Sequence, residues 1–187
     1  GDTNFCTIQD CNLSANATAG AEAAVSLDGC ADGHRIINNL IFGEGYAVRT
    51  NLINGAYQTK ISGNGLVTRQ GAWLNANGSN VMFTNNQCEH PTPSAAPIGT
   101  ILNQNLLYKS IGCIISGNNF GGGGNALYSL YIDGVEQWFI DNNQFYLPSS
   151  GQDIYLGPTS HYNTIGANNI IRGARGVQVA TATLGTD

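Results

Sequence analysis

Ile115-Ser116-Gly117-Asn118-Asn119-Phe120 has the same shape as Ile140-Asp141-Asn142-Asn143-Gln144-Phe145 and Ile165-Gly166-Ala167-Asn168-Asn169-Ile170. The common unit is an apolar residue, two small or polar residues, an Asn, any residue, and a second apolar residue. Toward the N-terminus it fits Phe83 with Asn86 and Cys88, Ile61 with Asn64 and Leu66, and Ile36 with Asn39 and Ile41. The first copy is Ile8 with Leu13, where Cys11 takes the Asn place. Subtracting along the column Cys11, Asn39, Asn64, Asn86, Asn118, Asn143, Asn168 gives spacings of 28, 25, 22, 32, 25 and 25 residues. A second column is expected from Leu27, Leu52, Leu74, Leu106 and Leu156, each nine residues before its anchor, with Ile132 eight before Ile140.

A period of about 20–50 residues signals a solenoid, a propeller or an array. The copies are rich in Ile, Val, Phe, Tyr, Thr, Asn and Gly, in short alternating runs such as Val25-Ser26-Leu27 and Val177-Gln178-Val179. That is strand and turn chemistry, and no window sustains the apolar period of a helix. A leucine-rich repeat needs more Leu, and a propeller blade about 40 residues. What remains is an all-β chain, a single-stranded right-handed parallel β-helix of about seven coils, one coil per repeat. Stacked at one strand spacing per coil, it would stand roughly 30 Å tall. The Asn column is expected at a sharp corner, in the near-left-handed conformation that Asn tolerates, with its amides bonded coil to coil. Gly63, Gly117 and Gly166 relax the same corner.

The 187 residues are expected to form one domain. With 10% charged residues, seven Lys and Arg and a net charge of −5, no basic stripe for nucleic acid is available. No apolar run is long enough for a membrane-spanning helix, and membrane insertion is not expected. The chain opens on Gly1-Asp2-Thr3 without a Met or a signal pattern and is read as a processed or excised piece of a longer protein. Five cysteines (Cys6, Cys11, Cys30, Cys88 and Cys113) without C-x-x-C spacing suit neither zinc nor a disulfide framework. They are expected as free, buried thiols formed in a reducing compartment.

Ser14 to Ala24 holds an Ala run suited to a short capping helix over an open solenoid end. Glu89 to Pro97 carries three prolines and is read as a loop standing off the fourth coil. Gly121 to Gly124 is a second excursion, and Ala180 to Asp187 is read as a tail. Both excursions leave the turn after the second apolar residue, and insertions on one face of a solenoid often mark its binding face. The polar residues at that turn are Glu44, Arg69, Glu89, His90, Tyr146 and Arg172. The plain alternative is that polar residues gather at any exposed turn. Trp73 and Trp138, with several tyrosines, stand outside the Asn-motif columns and are candidates for stacking on sugar rings, or else for ordinary packing.

Glycoside hydrolysis needs two carboxylates roughly 5–10 Å apart. Asp32 and Glu136 share a column four coils apart, so Glu44 and Glu89 are the pair available. His34, His90 and His161 fall at different repeat positions, and no Asp cluster is present, so neither a metal nor a cofactor is expected. Phosphate-loop and serine-hydrolase motifs are missing too.

Cys113 to Phe120, Phe139 to Phe145 and Thr164 to Ile170 resemble the right-handed parallel β-helix repeats of the pectate-lyase-like superfamily. Within it, the Asn- and Gly-rich, charge-poor character is most similar to bacteriophage tailspike β-helix regions. The resemblance covers nearly the whole chain and implies a homotrimer in the virion, assembled in the host cytoplasm. It also implies binding of bacterial surface polysaccharide, often with its cleavage by paired carboxylates. No position here matches a family catalytic motif. The alternatives are a polysaccharide hydrolase or lyase of the same fold, and a purely structural, trimer-forming piece of a fibre.

Overall fold

The computed structural model describes residues 5–15, 23–28, 31–51, 56–68, 73–76, 78–89, 101–103, 110–121, 128–146, 152–170 and 175–179. The described chain is all strand and turn, and its strands are stacked in parallel as a β-solenoid with no helix. Three seven-stranded sheets form the walls. Face one holds Thr7–Gln9, Arg35–Ile37, Lys60–Ser62, Met82–Thr84, Ile114–Ser116, Phe139–Asp141 and Thr164–Ile165. Face two runs from Asn12–Ala15 through Leu40–Gly43, Gly65–Thr68, Gln87–Glu89, Asn119–Gly121 and Gln144–Tyr146 to Asn169–Ile170. Face three runs from Ala23–Asp28 through Tyr46–Asn51, Leu74–Ala76, Ile101–Asn103, Tyr128–Ile132 and Gln152–Leu156 to Arg175–Val179. Of the Ala-rich stretch expected as a cap, Ser14, Ala15, Ala23 and Ala24 are strand, and residues 16–22 lie outside the described residues.

Face one is three residues wide because a left-handed residue closes each side of it. On entry these are Phe5, Gly33, Gln58, Asn80, Gly112, Gln137 and Tyr162. On exit they are Asp10, Asn38, Gly63, Asn85, Gly117 and Asn142, each five residues later. The left-handed turn thus falls one position before the Asn column, not on it as the sequence suggested. The reason is a division of labour: the turn residue reverses the backbone, and the next residue carries the inward amide. At Gly117, φ is +69°, and an added Cβ would run into the Asn85 side-chain oxygen, so Gly serves on both counts.

The inward amides form a continuous ladder. Asn118 shows the unit: its Oδ1 accepts from the Asn86 backbone N–H at 2.9 Å and from Asn86 Nδ2 at 3.0 Å. Its Nδ2 donates to the Phe83 carbonyl at 2.9 Å and to Asn143 Oδ1 at 2.9 Å. Asn39, Asn64 and Asn143 repeat the pattern, Asn168 accepts at one end, and Cys11 closes the other with its backbone N–H on Asn39 Oδ1. Buried amides would each lose ~1–3 kcal/mol if left unpaired, so the ladder makes an Asn interior tolerable.

Around it stand apolar columns. Ile36, Ile61, Phe83, Ile115 and Ile140 are buried on face one, and Ile41, Leu66, Cys88, Phe120 and Phe145 on face two. Phe120 stacks on Phe145 with centroids 5.1 Å apart. The Leu column expected on face three divides. Leu74 pairs with Val48 and Ile101, whereas Leu156 pairs with Ile132, and Leu27 pairs with Thr50 two positions on from Val48. Leu52 and Leu106 lie outside the described residues. Counting back from face one fails because the connection varies, from six positions separating Leu74 and Asn80 to eleven separating Ile101 and Gly112. Cys88 and Cys113 are buried free thiols as expected. Cys6 and Cys11 are free but exposed, because they flank the edge strand of face one. Cys30 lies outside the described residues.

Candidate functional site

The corner between faces two and three is where the connections vary most, and Glu44, Glu89 and Tyr146, singled out in the sequence, stand at or beside it. Arg69, His90 and Arg172 lie outside the described residues. Glu44, Glu89 and Tyr146 are described. Strand register puts Glu89 opposite Val67, which is opposite Phe42, so Glu89 stands two positions short of the column of Glu44. Two strands apart and two residues out of step, their backbones are about 12 Å apart. They stand at the same corner but in different columns.

Trp73 and Trp138 require a correction. Both are core residues, with 0% and 2% of their surface exposed, so neither ring face is open to a sugar. Trp73 packs 5.7 Å from Phe120 and donates its indole N–H to the Glu89 carbonyl at 3.1 Å, which pins the end of the Gln87–Glu89 strand. Trp138 occupies the entry corner of face one, where its backbone N–H bonds Asn163 Oδ1 at 2.9 Å. Standing outside the Asn motif did not make these residues external, because every corner of a coil has an inside. That entry corner also takes His34, whose Nδ1 accepts from the Cys6 backbone N–H at 3.1 Å. His34 is therefore a structural acceptor.

What the corner does bring together is an exposed notch. On the outward side of face two, Glu89 is opposite Gly121, and Gly121 is opposite Tyr146. Glu89 and Tyr146 are exposed and flank a position with no side chain. Two strand spacings separate them, about 10 Å. Gln87 Nε2 donates to Glu89 Oε1 at 2.5 Å and orients the carboxylate. Cys88, between these two residues but facing inward, is no nucleophile. Burial, with a smaller contribution from the Glu89 carboxylate, pushes its thiol well above the ordinary value and keeps it protonated.

Ser129 and Asp153 were missed in the sequence. They are opposite each other on face three, both fully buried, and Ser129 Oγ and both Asp153 carboxylate oxygens have no hydrogen-bond partner. Burial raises the Asp153 carboxyl to about 6. Asp153 belongs to no repeat motif, and strand alternation assigns it to the outer side, beside core residue Ile154. No sequence signal marks it as buried. Among the described residues, no group of three or more His, Cys, Asp or Glu could hold a metal ion.

The outer side of face three adds Tyr131 and Tyr155, half-buried and stacked with centroids 4.9 Å apart. Compared with protein-family models, with curated proteins and with solved structures, the chain matches none.

Proposed function

We propose that this β-solenoid is a recognition module for bacterial surface polysaccharide, of the kind carried on phage tail fibres and tailspikes and assembled there as a homotrimer. The observation that carries the reading is the Glu89–Gly121–Tyr146 notch. A carboxylate and a phenol ring flanking a glycine offer what a pyranose asks for: hydrogen bonds to its hydroxyls and an apolar face against its C–H groups. The fold supports it further, since outward positions recur at one strand spacing along the axis and a polymer can be met by many weak contacts.

Tyr146→Ala and Glu89→Gln test the reading on a panel of purified bacterial surface polysaccharides. The expected result is that the intact protein binds at least one of them and that each variant binds it roughly tenfold more weakly. If both variants bind as the parent does, or the parent binds no polysaccharide, the reading fails. Release of sugar from a bound polymer would favour the hydrolase or lyase alternative instead.

A further inference from the structure

Face one, away from the notch, carries a charge arrangement that the fold does not explain. Its first outward column reads Thr7, Arg35, Lys60, Met82, Ile114, Phe139, Thr164, each opposite the next. Arg35 and Lys60 are therefore directly opposed on neighbouring strands, and both are exposed. Like charges in that position repel. In a chain with only seven Lys and Arg and a net charge of −5, a carboxylate could readily stand beside them. Yet neither side chain has an ion pair or a hydrogen bond among the described residues. An unneutralised pair of stacked cations in an acidic protein is an anion-binding arrangement.

The rest of the column states what kind of anion. Beyond Lys60 come Met82 and Phe139, 45% and 41% exposed, with half-buried Ile114 between them. Beside this apolar strip, on the second outward column, Ser62, Thr84 and Ser116 are opposite one another, and Thr84 Oγ1 bonds Ser62 Oγ at 3.1 Å. Cations, then apolar surface, with hydroxyls alongside, form a track across five strands, about 19 Å long. A free phosphate would use only the cations, and a neutral glycan only the strip and the hydroxyls. Asp141 closes the hydroxyl column beside Phe139, three strands from Lys60, so an anionic group is accepted at the Arg35 and Lys60 end of the track and not at the Phe139 end.

We propose that face one binds an acidic polysaccharide along the solenoid axis, with a sugar carboxylate on Arg35 and Lys60 and sugar ring faces on Met82, Ile114 and Phe139. This rests on the reading of the protein as a polysaccharide-recognition module, and adds to it the ligand's charge and a second surface.

The test uses trigalacturonate and its trimethyl ester, which differ in charge but not in ring structure, titrated into the full 187-residue chain while backbone amide shifts are followed. The acid is expected to move the amides of residues 35, 60, 82, 114 and 139, with affinity that falls as salt rises. The ester should leave them still, and Arg35→Gln with Lys60→Gln should weaken binding of the acid roughly tenfold or more. Without ligand, that double variant should unfold no earlier than the parent, since it relieves a repulsion. Equal shifts with acid and ester would overturn the anionic class. No shifts on face one, or shifts indifferent to the double variant, would overturn the site. Either result leaves the Tyr146 and Glu89 test of polysaccharide recognition standing, and failure of that test alone would leave an acidic-glycan surface on face one.

Discussion

The exit corner of face one and the corner between faces two and three solve the same problem in opposite ways. At the first, every buried amide from Asn39 to Asn143 bonds the strands on both sides, and in the first six coils the turn is one left-handed residue. At the second, connections vary in length and Trp73 turns inward, and in the face-three strands that follow it Ser129 and Asp153 are buried with side chains that lack partners. One corner is built for stability. The other leads into strands that leave buried polar groups unsatisfied, a common mark of a site under some demand other than stability. The entry corner of face one lies between them: it has the same left-handed turn, but His34, Cys113 and Asn163 as acceptors, and at Thr59 a hydroxyl with no partner.

The sharpest break of this contrast is Asn118→Ala. It would strip partners from Asn86, from the Phe83 carbonyl and from Asn143 Oδ1 at once. A loss of about 3 kcal/mol or more is expected in denaturant unfolding. An unchanged midpoint would mean that the ladder contributes nothing beyond geometry.

Asp153→Asn should act in the other direction, and only above mild acidity. In the unfolded chain the carboxyl titrates near its usual 3.8, and in the folded protein at about 6. Between those values the folded state holds more protons, so the parent's stability falls as pH rises from 3.8 through 6 and is level above that. Removing the charge should restore at most about 3 kcal/mol at neutral pH and nothing below pH 4. Melting curves for parent and variant across that range check it; a gap between them that does not change with pH would show that Asp153 carries no burial penalty.

The smallest effect is expected at Thr59→Val. Exchanging an unpaired buried hydroxyl for a methyl group should stabilise the fold by about 1 kcal/mol. Destabilisation instead would show that the entry corner, like the exit corner, uses its polar column.

The exit corner was legible in the sequence. Ile115, Asn118 and Phe120 keep the same mutual spacing in copy after copy, because a three-residue strand and a one-residue turn leave no room for insertion. Stacking puts equal positions in register, so a fixed spacing in sequence becomes a column in space, and the solenoid and its Asn ladder follow. Arg35 and Lys60 stand directly before Ile36 and Ile61, so their opposition was written in the same register. That neither has a partner among the described residues was not.

Tertiary structure decided what lies beyond the variable connections. Once six to eleven positions can separate equivalent points, sequence distance no longer names the column, and Leu74 and Leu156 fall in different ones. The same variability hid that Trp73 and Asp153 are buried, whereas Glu44 and Glu89, three and one residues past the second apolar position of their copies, were already out of step in the sequence. Burial at a corner depends on which strands and turns close around a side chain, and that is a property of packing between repeats that no single repeat contains.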